Sequence, residues 1–328
     1  MLTKAVAEGV LLRLSSTQTK PFVPLGVLGL LIGLSMTAEA ARLHVLWNGR
    51  AWNADFAEES DFIAPGPFRV RFDNADVYKL GCHQNLKSSQ VKTCAFGSKT
   101  PQKTIVVVGG SHSAQWLPAL TSHAAAENWH IVSMTKSRCL FADPEDHILF
   151  EDLDPSCKKW NIAALEKIVQ LKPDLVLSLA TRWQGMDERR TEYVPTGYHS
   201  HFATLEAAGI KVFALRDNPW MDKDVPLCVY SPVAVDKAAC GRKRSHVLDD
   251  VSFKRGIAGM PANVHVGDMS DHFCDKQHCW AVRHGISIYR DSNHITATYA
   301  KKISVSLREQ IKAVWIRENK RNRIASGR

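Results

Sequence analysis

The stretch Thr104-Ile-Val-Val-Val-Gly-Gly-Ser-His-Ser-Ala-Gln-Trp-Leu-Pro-Ala-Leu120 decides how this chain folds. Ile105 to Val108 are apolar and β-branched, the pattern of a strand buried on both faces. Gly109 and Gly110 permit a tight turn, and residues 114–127 carry a helical pattern. Ser111 therefore belongs at the carboxyl end of a sheet strand, beside the backbone N–H groups that open a helix. Such groups can hold an oxyanion. Far downstream, Asp291-Ser-Asn-His294 offers a carboxylate and an imidazole on one turn. In a D-x-x-H turn the carboxylate can face Nδ1 while Nε2 faces a serine, which is what a serine nucleophile needs to lose its proton. Each segment also has a plainer use, with Asp291 capping the final helix and His294 a surface polar group. Their combination at strand ends favours acyl chemistry on Ser111.

Working outward, the chain alternates between strand and helix. Strands are expected at 104–108, 129–134, 174–180, 211–215 and 263–266, with a terminal one at 286–289. Helices are expected at 114–127, 161–171, 201–208, 245–257 and 295–319, with Pro173 and Gly209 as stops. Strands separated by helices imply a three-layer α/β/α fold around a mostly parallel sheet. Ligands of such sheets bind at the carboxyl ends of the strands. Residues 46–100 lack long periodicity and read as a linker with a disulfide-tied extension, leaving 101–328 as the main domain.

The chain has 328 residues, with 45% hydrophobic and 23% charged, the balance of a folded α/β domain. Its formal net charge of +9 is partly local, because basic residues from Lys301 to Arg328 crowd the end of the chain. That tail has no aromatic interleaving and no nucleic-acid module accompanies it, which argues against nucleic acid as a partner. At the other end, Lys4, Arg13 and Lys20 precede an apolar run over 22–36, followed by Thr37-Ala-Glu-Ala-Ala41. Residues 1–45 thus read as a signal peptide, with Ala38-Glu39-Ala40 as the cleavage pattern, or as a membrane anchor if the apolar helix extends through Trp47. Either reading exports the chain.

The eight cysteines agree with export. Their local spacing pairs Cys82 with Cys94, Cys139 with Cys157, Cys228 with Cys240, and Cys274 with Cys279. His272, Cys274, His278 and Cys279 form a rival metal cluster, disfavoured because no C-x-x-C pair occurs. No metal is expected.

Gly110-Ser111-His112, with Gln115-Trp116-Leu-Pro-Ala-Leu120 behind it, resembles the nucleophile block of SGNH hydrolases. More narrowly, it resembles the SGNH domain fused to, or working with, membrane acyltransferase-3 proteins that O-acetylate envelope glycans. The resemblance runs from Gly81-Cys82-His83 to Ala300. It includes Ser133-Met-Thr-Lys-Ser-Arg-Cys139, Arg216-Asp-Asn-Pro-Trp220, Asp224-Val-Pro-Leu-Cys228 and Tyr289-Arg-Asp-Ser-Asn-His-Ile-Thr296. It implies an SGNH or flavodoxin-like fold behind an N-terminal apolar helix, with Ser111 as nucleophile, His294 as base and Asp291 as its partner. It further implies an envelope glycan substrate, a membrane acyltransferase-3 partner, and an acyl donor but no cofactor.

Two departures stand out. Where the family has Gly-Asp-Ser, this chain has Gly109-Gly110-Ser111, and no Gly-x-Asn-Asp block supplies the usual asparagine donor. The corresponding strand end reads Ala180-Thr181-Arg182-Trp183. Gly110, Lys136, Arg182 and Trp183 are accordingly the expected oxyanion or substrate residues, with the backbone at Lys136 and Ser137 standing where the family's glycine donor would be. The departures also admit a non-catalytic glycan-binding module as a rival to a transferase or esterase.

Overall fold

The computed structural model describes residues 62–145, 154–184, 191–231 and 236–325, together with three short strands nearer the amino terminus. Residues 1–62 form one unit and 63–328 another. In the first unit, strands Leu12–Arg13, Leu43–Trp47 and Arg50–Ala54 pair antiparallel. The apolar run at 22–36 and the candidate cleavage site lie outside the described residues. Among the described residues no helix is long and apolar enough to cross a membrane.

The second unit is built on a seven-stranded sheet. Its strands are β1 (His83–Gln84), β2 (Cys94–Gly97), β3 (Lys103–Gly109), β4 (Trp129–Lys136), β5 (Leu175–Leu179), β6 (Lys211–Leu215) and β7 (Val264–Gly267). The spatial order is β7-β6-β5-β3-β4-β1, all parallel, and β2 runs antiparallel beside β1 on the outer edge of β4. Both faces of β3 are buried, as its unbroken apolar run requires. Ile105 and Val107 pack on one side with Trp116, Leu120, Tyr299 and Leu307. Val106 and Val108 pack on the other with Trp160, Ile168, Phe202 and Phe253. The two-residue period of a strand sends alternate side chains to the two helical layers.

The helices differ from expectation mainly where a cap or proline intervenes. The single helix expected at 114–127 is two short ones, α1 (Ser111–Ala114) and α2 (Leu117–Thr121), with Pro118 in the first turn of the second. Helix α3 (Pro155–Leu171) begins earlier than its periodicity suggests, because Asp154 caps it by accepting the Ser156 N–H. Helix α4 (Thr196–Ala207) follows, and Gly209 after it has φ +72°. The expected 245–257 helix is interrupted by Asp249, which caps α5 (Asp250–Ile257). The closing helix divides at Ile303 into α6 (Ala297–Lys302) and α7 (Ser304–Ala325). The terminal strand expected at 286–289 is only Ile286–Ser287, paired with Val282–Arg283 outside the main sheet.

Where a linker was expected, residues 63–100 are woven into this unit. They supply β1 and β2, and Ala64 lies between Gly285 and Ser287 in a backbone bridge. Asp73 accepts the Ala297 and Thr298 N–H groups at the start of α6. All four expected disulfides are present: Cys82–Cys94, Cys139–Cys157, Cys228–Cys240 and Cys274–Cys279. The rival metal cluster is thereby divided, since the sulfurs of Cys274 and Cys279 bind each other.

Candidate active site

From the central strand β3 the chain crosses to β4 on one side, and from the adjacent β5 to β6 on the other. Between strands whose connections diverge, a crevice opens at the carboxyl ends. Here that crevice is a cleft of about 380 Å³, open space included, lined after β3 by Gly109 to Ser113 and after β5 by Thr181 and Arg182. Gly109 has φ +127°, and a Cβ there would lie 2.5 Å from Ser113 Oγ. A Cβ at Gly110 would sit 3.1 Å from the Cys139 carbonyl oxygen. The turn thus runs close against its neighbours and brings Ser111 to the first position of α1, where N–H groups have no helical acceptor.

Ser111 Oγ lies 2.8 Å from His294 Nε2, and His294 Nδ1 lies 2.8 Å from Asp291 Oδ2. A carboxylate only accepts, so Nδ1 carries the proton and Nε2 is left to accept from the Ser111 hydroxyl. Asp291 Oδ1 also accepts the Asn293 and His294 N–H groups, which fixes the turn. Burial opposes ionisation of Asp291, but the His294 imidazole and those two N–H groups outweigh it and hold the carboxyl well below its usual range. His294 is lowered from 6.5 first by burial and then by nearby His112, with Asp291 pulling the other way. It is therefore neutral at pH 7, the form that can receive a proton.

A second, wider set of bonds holds the Asp291–His294 turn against α1. Gln115 donates to Asn218 Oδ1 and accepts the Ile295 N–H. Asn218 in turn donates to the Asn293 carbonyl. His112 Nδ1 pairs with the buried Asp217 at 2.9 Å, while its ring packs against Trp220 and His294, the centroids 4.9 and 4.4 Å away. Asp217 is further occupied by the Asn218 N–H and the Trp220 indole. These supporting residues lie within the Gln115 and Arg216–Trp220 segments that carried the resemblance, but no spacing in the sequence announces that they meet.

The remaining expected residues divide. Gly110 and Arg182 line the cleft. Lys136 does not: its buried ammonium donates to the Asn85 and Leu86 carbonyls, tying down the β1–β2 connection. The Ser137 N–H, the backbone donor expected there, is taken by the Gln84 carbonyl, and Ser137 Oγ is engaged with His83 Nε2. The cleft is lined after β4 instead by Arg138 to Phe141, with Arg138 held at φ +52° in the conformation glycine favours. Trp183 is packed into the apolar core away from the cleft. It is buried because the strand Arg182–Gln184 alternates its faces, leaving Arg182 toward the cleft.

Residues 81–308 match the model of the SGNH domain fused to acyltransferase-3 (AT3) domains. The chain belongs to the SGNH domain family. This SGNH domain also resembles the solved Salmonella ser. Paratyphi A lipopolysaccharide acetyltransferase periplasmic domain, at 14% identity. The match covers 65% of this chain and 85% of that one, with a TM-score of 0.48. No protein of curated function matches at a significant level.

Proposed function

We propose that this SGNH domain is an exported serine enzyme that transfers an acyl group, commonly acetyl, to a hydroxyl of a cell-envelope polysaccharide. The observation that carries the proposal is the unbroken line Ser111 Oγ, His294 Nε2, His294 Nδ1, Asp291, at 2.8 Å per link. His294 takes the Ser111 proton as Oγ attacks the donor ester, and the donor's leaving oxygen receives that proton as its bond to the acyl carbon breaks. A sugar hydroxyl then attacks the acyl-Ser111. Its proton passes to His294 and on to Ser111 Oγ, which is released unmodified. The candidate donors to the oxyanion of each step are the N–H groups at the Gly110–Ser111 turn into α1. The chain's own residues and an acyl donor suffice, and the donor is supplied by an acyltransferase-3 membrane partner. Four disulfides favour an oxidising, extracytoplasmic site of action.

A second reading is an esterase that removes O-acyl groups from such glycans: Arg138, which lines the cleft, is exposed, and water reaching acyl-Ser111 completes hydrolysis. The experiment compares p-nitrophenyl acetate turnover by the full chain, Ser111→Ala and His294→Ala, with and without oligosaccharide acceptors. We expect each variant to lose at least about a thousand-fold in kcat. Acceptors that divert acetyl from water to sugar identify the transferase. Equal turnover by three folded proteins would return the non-catalytic glycan-binding module to first place.

A further inference from the structure

We propose that the cleft beside Ser111 takes an acyl acceptor or ester that carries an anionic group, a carboxylate or a phosphate, held between Arg138 and Arg182. The inference rests on the reading of Ser111 as the reacting serine and adds the chemical class of the substrate. β3, which presents Ser111, lies between β4 and β5, and one arginine follows each of those neighbours. The two arginines therefore line the Ser111 cleft from opposite sides.

Both come from fixed backbone. Arg138 is locked in the left-handed conformation next to the Cys139–Cys157 disulfide. Arg182 opens a strand paired with Thr191–Tyr193, directly after Thr181, which is fully buried and accepts the Asp217 N–H. Neither arginine has a carboxylate partner among the described residues. Elsewhere Arg71 pairs with Asp224, Arg216 with Glu192, and Arg242 with Asp222. The carboxylate that lines the cleft, Asp217, is already taken by His112, Asn218 and Trp220. Two like charges lining one cleft repel each other, and an anion between them relieves that repulsion. Guanidinium forks match carboxylate and phosphate oxygens two at a time. An anionic group on the sugar would thus anchor the ring while leaving a neighbouring hydroxyl free for acyl-Ser111.

The test measures binding by calorimetry to the full chain carrying Ser111→Ala, so that no turnover intervenes. The probes are methyl glucoside, methyl glucuronoside and methyl glucoside 6-phosphate, which share a ring and differ in charge. At least one anionic probe is expected to bind about tenfold or more tighter than the neutral one, weakening as salt rises. Whichever binds tighter names carboxylate or phosphate. Adding R138Q and R182Q should erase the preference, and R138K with R182K should keep part of it. Equal binding of all three probes, no measurable binding of either anion, or a preference that survives R138Q/R182Q in a folded protein overturns the proposal. Failure of the serine reading shows separately, as p-nitrophenyl acetate turnover that persists in Ser111→Ala.

Discussion

His294 can serve Ser111 only in one tautomer, and Asp291 selects it. Asp291→Asn would present an amide that can donate to Nδ1, which moves the imidazole proton to Nε2 and blocks acceptance from Oγ. We expect kcat to fall about 10³- to 10⁴-fold with little change in KM, measured on p-nitrophenyl acetate. In the proposed reaction His294 works in its neutral form, and burial followed by His112 lowers it from 6.5. A base that resists protonation stays active to lower pH, so the acid limb of kcat/KM should lie below pH 6.5. His112→Gln removes the electrostatic influence of His112 on His294 and should move that limb upward. A limb that stays in place would reduce His112 and Asp217 to packing. That Ser111, His294 and Asp291 would meet was legible in the sequence, because Ser111 and the D-x-x-H turn each follow a recognisable strand or precede a helix. Arg138 was not, since its place depends on a left-handed backbone that no local pattern signals.

At the scale of elements, the sheet follows directly from the apolar runs at Ile105–Val108, Leu175–Leu179 and Lys211–Leu215, whose β-branched and aliphatic residues need cover on both faces. The helix boundaries were less legible because capping overrides periodicity: Asp154 starts α3 ahead of its apolar stripe, and Asp249 restarts the chain into α5. The edge strands β1 and β2 went unseen, being short and set by a disulfide and by β4 rather than by pattern. Arg216, at the end of β6, joins elements that share no sequence signal. Its buried guanidinium binds Glu192 of the strand Thr191–Tyr193, Asp250 of α5 and Asp268 after β7. Burial works against its charge, but Glu192 and the other carboxylates more than compensate and raise its pKa. Arg216→Ala would strand the Glu192 carboxylate in the interior, at a cost of about 3–5 kcal/mol. Urea unfolding should report that loss, and combining Arg216→Met with Glu192→Gln should recover much of it. If the single variant unfolds like wild type, the network contributes nothing to holding these elements together.

At the scale of the molecule, every disulfide is local, with sequence separations of 12, 18, 12 and 5. They staple loops around the sheet, and on chain-entropy grounds the longer three contribute about 3 kcal/mol each. Global stability then depends on groups the fold buries uncharged. His201 on α4 is 4% exposed, packed edge-on against Phe141, and burial lowers its pKa to about 4. His83 in β1, between Thr135 and Ser137, is likewise lowered to about 4 by burial, with His294, Arg290 and Lys136 adding to the effect. An unfolded chain protonates both near pH 6.5, whereas the folded chain resists until about pH 4. Between those values the unfolded state binds more protons, so stability is complete above pH 6.5 and is lost as pH falls toward 4. For buried His201 that loss is about 3 kcal/mol. Urea midpoints at pH 7.5 and 4.5 should therefore differ, and His201→Phe, which keeps an aromatic ring in the same apolar space, should narrow the difference by about that amount. A His201→Phe protein with the wild-type pH dependence would mean that His201 takes up its proton in the folded state and that other groups carry the acid sensitivity.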